Sequence, residues 1–274
     1  MIPIFVVVLQ GSKRFEALKY DLNRQAIPFV VEPAVNGSYI KEEQLEFLFD
    51  RKGTFARLGY DISKSLLGCA LSHSAVYLKG YDCGSNWIVV LEEDVRLQEN
   101  FLANIKLLLN NFQFDGPMII QLFTRGERFI KKKSIQEIVY ERYIFQFASP
   151  PGQTAGYLIN REALHLALAD EVILGAPDWP SWAAQVDFFG TFPFLVSENG
   201  EGSSIGPSPL SRKGYWIRNL EKCLGFHFFR FHAHYASSRI YLKTEIKPLI
   251  LRILWTTKGK PTFPSEDRNG LWLV

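Results

Sequence analysis

The chain has 274 residues, of which 47% are hydrophobic and 14% aromatic, enough for one large α/β domain or for a domain with a tail. Its net charge of +3 is unevenly spread, because residues 210–274 carry 12 Lys+Arg against 4 Asp+Glu and the rest carry 19 against 24. No apolar run reaches the ~18 residues that span a bilayer, and the apolar start lacks the basic flank and the cleavage site of a signal peptide. The sparse cysteines (Cys69, Cys83 and Cys223) have no metal-ligand spacing, which favours buried thiols in a reducing compartment.

The amino-terminal segment predicts a strand, a helix and a second strand, which is the start of an α/β domain. Residues 4–9 are apolar on both faces, as in a parallel strand, and Ser12 is expected to cap a helix over residues 13–22. Arg14 would lie in the first turn of that helix, where a cation opposes the helix dipole. An anionic ligand for Arg14 is one interpretation, and a surface arginine is the other. The second strand covers residues 29–35, and the absence of Gly-x-Gly-x-x-Gly removes the NAD fingerprint.

A helix rich in small residues is predicted over residues 67–78, and these small residues would let it pack closely against the sheet. It carries Ser72 and His73 next to each other. A lone histidine in such a helix is either a satisfied core residue or a ligand, and both interpretations stay open.

The central strand is predicted over residues 87–91, which are apolar, and it ends in three consecutive acids, Glu92, Glu93 and Asp94. Open α/β sheets bind ligands at the carboxyl ends of their strands. Adjacent carboxylates repel one another and are costly to desolvate, and a hard divalent cation such as Mg²⁺ or Mn²⁺ relieves both problems. Such an ion would hold a diphosphate. The alternative is a solvated turn with acids near a helix N-terminus.

The second half predicts helices over residues 101–112 and 161–168, strands over 117–123 and 192–196, a strand pair over 138–147, and a turn leading into a strand over 150–160.

Three acids of this half are candidates for the functional site. Asp178 precedes Trp179 in a Pro-rich loop, and such tryptophans either stack on a sugar or act as structural plugs. Asp187 is expected to be another buried acid, and Glu198 opens a polar Gly/Ser loop.

The basic tail interleaves aromatic residues with Arg, Lys and His over residues 225–235 and 246–255, a pattern typical of interfacial helices. Three histidines lie close together in the first of these segments, but no Cys or acid there completes a zinc site. The charge of this tail favours an anionic partner, either a membrane or a nucleic acid.

Several of these motifs together resemble glycosyltransferase family 25, the bacterial lipooligosaccharide sugar transferases. The resemblance covers about residues 2–206 and is carried, in the order of the family's motifs, by Gly11-Ser12-Lys13-Arg14, Pro33-Ala34-Val35-Asn36-Gly37, Gly68-Cys69-Ala70-Leu71-Ser72-His73, Val90-Leu91-Glu92-Glu93-Asp94, Gly152-Gln153-Thr154-Ala155-Gly156-Tyr157-Leu158-Ile159, Pro177-Asp178-Trp179 and Ser203-Ser204-Ile205. The middle acid of the acidic motif is Glu93, where the family usually has Asp. If Glu92 and Asp94 hold the metal the change is harmless, whereas a ligating Glu93 would alter the metal geometry.

The resemblance implies a GT-A-type α/β fold with a mixed, mostly parallel sheet flanked by helices. The catalytic domain would cover residues 1–206, and residues 207–274 would form a basic, aromatic, helical extension. The implied reaction is an inverting transfer of a hexose from a UDP-sugar, galactose favoured and glucose next, to a lipooligosaccharide or LPS core acceptor.

The resemblance also implies roles for individual residues. Mn²⁺ or Mg²⁺ would be held by Glu92 and Asp94, while Arg14, Ser72, His73 and Glu93 would line the nucleotide side. Asp178 is the expected general base, with Asp187 and Glu198 behind it.

The expected location is cytoplasmic and peripheral on the inner membrane, with the tail on the anionic lipid surface and no nucleic acid partner. A structural tail that covers the sheet is the alternative. Two other functions stay open: another metal-dependent enzyme of nucleotide-sugars, and a non-catalytic relative that binds carbohydrate or nucleotide.

Overall fold

The computed structural model describes residues 2–58, 61–124, 129–139, 141–170, 172–175, 178–200, 265–266 and 271–273. Its helices in these ranges are α1 (Phe15–Arg24), α2 (Glu42–Leu48), α3 (Arg51–Leu58), α4 (Lys64–Asp82), α5 (Phe101–Asn111) and α6 (Arg161–Ala169). The strands are β1 (Ile4–Val8), β2 (Val30–Pro33), β3 (Trp87–Glu92), β4 (Val95–Leu97), β5 (Met118–Gln121), β6 (Phe129–Lys131), β7 (Gln136–Val139), β8 (Arg142–Gln146), β9 (Gly156–Asn160), β10 (Asp187–Phe192), β11 (Val196–Glu198), β12 (Ser265–Glu266) and β13 (Leu271–Leu273). None of the helices described here has the length and apolar character needed to cross a membrane.

An eight-stranded sheet in the order β2-β1-β3-β9-β5-β10-β8-β7 forms the centre of the fold. Strand β1 pairs in parallel with β2 and β3, and β5 pairs in parallel with β10. Strand β9 is antiparallel to both β3 and β5, and β8 is antiparallel to both β10 and β7. Only β8 and β9 therefore run against the other strands of this sheet, and the prediction of a mixed, mostly parallel sheet is confirmed.

Each face of this sheet has its own hydrophobic core, because successive side chains of a strand point to opposite faces. In β1, Ile4 and Val6 belong to one core, while Phe5 and Val7 belong to the other. Residues of α1 and α5 pack on the first core, and residues of α4 and α6 pack on the second. The continuous apolar runs of β1 and β3 thus reflect burial on both sides, and the predicted α/β class with flanking helices is confirmed.

A smaller antiparallel pair, β4 with β11, lies just beyond the end of β3. The buried carboxylate of Asp21 on α1 ties this pair to the body of the domain, since it accepts hydrogen bonds from Arg96 Nε at 2.7 Å and Nη2 at 2.9 Å. It also accepts one from the Leu97 amide at 3.1 Å. Burial acts to raise the pKa of Asp21, but Arg96 and the amide overcome it and the pKa is lowered.

The last described residues of the tail return to the body, where β13 pairs antiparallel with β6 and β12 pairs with β13. The helices predicted over residues 225–235 and 246–255 lie outside the described residues, as does the Gly/Ser loop after residue 200. The boundary at residue 206 stays a prediction.

Two local predictions are wrong. Helix α1 begins at Phe15 with Arg14 at its N-cap position, so Ser12 lies two residues before the cap. The Ser12 hydroxyl accepts from the Arg14 amide at 3.3 Å and donates to Glu93 Oε1 at 2.8 Å. The strand predicted over residues 192–196 is divided between the end of β10 and the start of β11. Pro193 lacks the N–H that a continuing strand would need.

Candidate active site

One pocket opens at the carboxyl ends of β1, β2 and β3, beside the first turns of α4. Ligands of open α/β sheets bind at this edge. The predicted site residues that line it are Arg14, Ser72, His73, Glu92, Glu93 and Asp94. The structure therefore brings together six side chains that are spread over about 80 positions of the sequence.

The tight approach of α4 to this edge requires two glycines. A Cβ on Gly68 would lie 2.5 Å from the Val35 carbonyl oxygen, and a Cβ on Gly37 would lie 1.9 Å from the Lys64 carbonyl oxygen. Neither distance is compatible with a real side chain, so only glycine permits this crossing. The crossing places the Ser72–His73 pair over the end of β3.

Glu93 points away from the pocket centre and is held by protein groups. Its carboxylate accepts from the Leu9 amide at 2.8 Å, from the Ser12 hydroxyl and from Arg14, and the residue is 4% exposed. Its oxygens are thus taken up in fixing the turn between β1 and α1. These contacts make Glu93 a residue that positions Arg14, and they do not support the prediction that it binds the nucleotide.

Arg14 is a mostly buried cation among acids, so its interpretation as a surface arginine is wrong. Its side chain is 13% exposed and contacts Glu93, while Nη1 lies 3.1 Å from Asp94 Oδ2. Burial raises the pKa of Asp94, and repulsion from Glu92 raises it further, although Arg14 acts in the opposite direction. Glu92 and Asp94 therefore repel each other even with the arginine in place.

Glu92 is directed to the other side, toward α4 and β9. It accepts a hydrogen bond from the Thr154 hydroxyl, and its Oε1 lies 3.4 Å from His73 Nε2. Burial acts to raise the pKa of Glu92, but the His73 ring, the Thr154 hydroxyl and the Arg14 charge outweigh burial and lower it. Glu92 is consequently a carboxylate at neutral pH.

Ser72 and His73 are both buried on α4. The Ser72 hydroxyl donates to the Gly68 carbonyl at 2.7 Å and accepts from the Val35 amide at 2.8 Å, so its contacts tie α4 to the end of β2. They do not support direct nucleotide binding by Ser72. His73 is 3% exposed, and its Nδ1 lies 2.7 Å from the Tyr157 hydroxyl. Within the part of the chain that the structure describes, its Nε2 has no hydrogen-bond partner.

Asp178 joins the same cluster from the loop before β10. Its Oδ2 accepts a hydrogen bond from the Gln153 amide at 3.0 Å, in the turn that also provides Thr154. Burial raises the pKa of Asp178 and Glu92 raises it further, while the Gln153 amide and His73 oppose the shift. A raised pKa suits a carboxylate that takes a proton, but its catalytic role stays a prediction.

The neighbouring tryptophans are structural. Trp179 and Trp182 are buried in the core beneath the loop, and the Trp179 ring nitrogen donates to the Pro151 carbonyl. Their interpretation as sugar-stacking residues is therefore wrong, because a buried ring has no face to offer a sugar.

The other two predicted acids differ in position. Asp187 is exposed, pairs with Met118 at the start of β5, and accepts from Gln146 Nε2 at 2.6 Å. The expectation that it is buried is wrong, and the structure places it at the amino edge of the sheet, away from the pocket. Glu198, in contrast, pairs with Val95 on β4, next to Asp94, and so stays near the acidic turn.

Sequence reasoning missed Cys69 as part of this cluster. The ligand-type atoms of Cys69, His73 and Glu92 all lie within 4.8 Å of one another. Burial raises the pKa of the Cys69 thiol well above its usual value, and Glu92 and Asp178 raise it further. The spacing of Cys69 and His73, four residues apart on one helix, was the available signal.

Comparisons with known proteins concern the sequence of this chain. The family model described as "Glycosyltransferase family 25 (LPS biosynthesis protein)" matches residues 1–170. The chain is 28% identical over 158 residues to the lacto-N-neotetraose biosynthesis glycosyltransferase LgtE of Neisseria meningitidis serogroup B, covering 56% of this chain and 55% of that protein. It is 34% identical over 158 residues to LgtE of Neisseria gonorrhoeae, with the same shares covered. The match thus spans about half the length of these curated relatives.

Among solved structures, the chain is similar to a glycosyltransferase involved in the glycosylation of the major capsid of PBCV-1. The identity is 12%, the TM-score is 0.30, and the match covers 60% of this chain and 63% of that chain. A likeness of this size adds nothing to the fold already described.

Proposed function

Because this chain belongs to glycosyltransferase family 25, whose model matches residues 1–170, we propose that it transfers a hexose from a UDP-sugar to a lipooligosaccharide or LPS core acceptor. Galactose is the favoured hexose and glucose the next, and the transfer inverts the anomeric centre. The names of the two LgtE relatives concern lacto-N-neotetraose biosynthesis, and they support an oligosaccharide acceptor of this kind. The arrangement of the sheet supports a GT-A-type fold.

The observation that carries this proposal is the group of acids and one arginine at the carboxyl edge of β1 and β3. Glu92 and Asp94 both line the pocket, and burial, together with repulsion from Glu92, raises the pKa of Asp94. A divalent cation would relieve that repulsion, and carboxylate oxygens are the ligands that Mg²⁺ and Mn²⁺ prefer. The donor set therefore fits the proposed metal, with Asp94 and Glu92 as ligands. When bound, such an ion neutralises the charge of a leaving diphosphate.

The chain's own residues would serve the transfer as follows. Arg14, held by Glu93 and Asp94, presents positive charge at the phosphate side of the pocket. The Asp178 carboxylate would take the proton from the acceptor hydroxyl, while the bond from the sugar to the diphosphate breaks. An inverting single displacement needs no covalent intermediate on the enzyme. Glu198 is the second candidate for this base, because it too lies near the acidic turn.

The basic extension over residues 207–274 would bring the enzyme to an anionic lipid surface on the cytoplasmic side of the inner membrane. Its excess of 12 Lys+Arg over 4 Asp+Glu in residues 210–274 supports this placement. The pairing of β13 with β6 favours an additional structural role for the end of the tail.

A donor panel tests the proposal. Purified protein is incubated with a lipooligosaccharide acceptor and either UDP-galactose, UDP-glucose or UDP-N-acetylglucosamine, and the product linkage is determined by NMR. The proposal expects one hexose donor to give a β-linked product. Hydrolysis of the UDP-sugar without transfer would instead indicate another nucleotide-sugar enzyme, and UDP binding without any turnover would indicate a non-catalytic relative.

A further inference from the structure

The inner wall of the pocket holds a thiol, an imidazole and a carboxylate whose ligand-type atoms lie within 4.8 Å of one another. Cys69 and His73 are four residues apart on α4 and so lie on one face of the helix, and Glu92 comes from the end of β3. No step of the proposed sugar transfer uses the thiol, and the expected place of His73 at the nucleotide side stays a prediction.

The orientation of His73 is set by two buried tyrosines. The Tyr157 hydroxyl donates to the Tyr77 hydroxyl at 2.9 Å, so it accepts from His73 Nδ1 at 2.7 Å. With this proton on Nδ1 the neutral ring has its lone pair on Nε2, the form that binds a metal, whereas a protonated ring also donates from Nε2 to Glu92. Metal-binding histidines are commonly oriented in this manner by a hydrogen bond from the second nitrogen.

The Nε2 lone pair faces the Glu92 carboxylate. Its distance to Glu92 Oε1 is 3.4 Å, and among the described residues Nε2 has no hydrogen-bond partner. In the neutral form of the ring two acceptor atoms thus face each other, and in the protonated form His73 pairs with Glu92; in both forms the Cys69 sulfur lies beside them. A cation between them would satisfy all three groups.

We propose that Cys69, His73 and Glu92 bind a divalent cation of the zinc class. A sulfur, an imidazole nitrogen and a carboxylate oxygen form a ligand set that suits Zn²⁺ rather than Mg²⁺, and three protein ligands leave a fourth position for water. Zinc bonds of about 2.0–2.3 Å place tetrahedral ligand atoms roughly 3.3–3.8 Å apart, so the set needs to close by only about 1 Å.

Binding releases the thiol proton to solvent as the zinc–sulfur bond forms. Glu92 is common to this set and to the oxygen-ligand site proposed for Mn²⁺. Zinc and manganese would therefore compete for Glu92.

Absorption spectroscopy with Co²⁺, which substitutes for Zn²⁺, tests the proposal on the full chain. Thiolate bound to Co²⁺ gives a sulfur-to-metal charge-transfer band in the near ultraviolet, and histidines of the tail cannot produce it. We expect the band to saturate at one equivalent and to disappear when Zn²⁺ is added. Cys69→Ser should abolish it, whereas Cys83→Ser and Cys223→Ser should each retain it at full intensity. His73→Gln should weaken Co²⁺ binding by 10-fold or more.

An absent band in folded wild-type protein would overturn the proposal, as would a band of equal intensity in Cys69→Ser. Equal affinity in His73→Gln and wild type would also contradict it, and this second variant keeps the test decisive if Cys69→Ser does not fold. The assay measures metal binding alone, so its outcome is independent of whether the proposed sugar transfer is correct.

Discussion

Replacing Asp178 by Asn tests the assignment of the general base. Asn keeps the size of the side chain and an oxygen that can accept the Gln153 amide, now 3.0 Å from Asp178 Oδ2, but it cannot take a proton. Loss of a positioned base typically lowers the rate 10²–10⁴-fold, which corresponds to about 2.7–5.5 kcal/mol of transition-state stabilisation. We therefore expect kcat to fall by that factor, while the Kd for UDP stays within about twofold of wild type.

The folded state should tolerate this change. The pKa of Asp178 is raised in the folded protein, so the ionised carboxylate is destabilising at neutral pH and the neutral amide removes that cost. The melting temperature at pH 7 should not decrease. In wild type, activity should fall as the pH drops through the raised pKa, and this acid limb should lie above the ~3.9 of an ordinary aspartate.

The matched control is Asp187→Asn, because Asp187 is an exposed aspartate at the opposite edge of the same sheet. Its rate should equal that of wild type. UDP release, measured by a coupled assay at saturating donor and acceptor, distinguishes the variants. Near-full turnover in Asp178→Asn would refute the assignment, and equal losses in both variants would show that the effect is not local.

Further outcomes follow from the charged groups around the site. Glu93→Gln should lower the free energy of unfolding by about 3 kcal/mol, since it breaks a buried pair with Arg14, whereas Glu99→Gln, in an exposed pair, should leave the melting temperature unchanged. Calorimetry measures the stability of both variants. An unchanged free energy of unfolding in Glu93→Gln would contradict the role given to Glu93. Asp21→Asn should reduce the loss of stability in acid. The lowered pKa of Asp21 in the folded state gives stability that is present above pH ~4 and is lost as the pH falls through that pKa. Acid unfolding curves identical to those of wild type would argue against this. Neutralising three basic residues within residues 210–274 should weaken binding to anionic liposomes about 10²-fold, at about 1 kcal/mol per residue, and unchanged cosedimentation would exclude the membrane role.

The local pattern of the sequence was sufficient to predict the centre of the fold. An apolar run followed by acids identifies β3 and its polar end, and the small residues of α4 indicate close packing. Both are short-range signals, and the structure contains both elements. The acids were correctly expected at the carboxyl edge of the sheet, because that edge follows from strand direction alone.

The contacts that the sequence did not reveal depend on distant residues. Ser12 has the pattern of a helix cap, but Glu93, 81 positions away, accepts from its hydroxyl. An acid next to an apolar strand, such as Asp187, gives the same local pattern at either end of the strand. Only the register with β5 shows which edge of the sheet Asp187 occupies. The opposite directions of Glu92 and Glu93 follow from strand alternation, but their partners come from α4, β9 and the turn after β1.

A metal held by Asp94 is proposed to support transfer from a UDP-sugar. The most direct measurement is UDP release with and without Mn²⁺, for wild type and for Asp94→Ala, with calorimetric UDP binding recorded on the same samples. We expect Mn²⁺-dependent release from one hexose donor in wild type, and loss of this release in the folded variant. Release that does not depend on Mn²⁺, or that persists at the wild-type rate in Asp94→Ala, would contradict it.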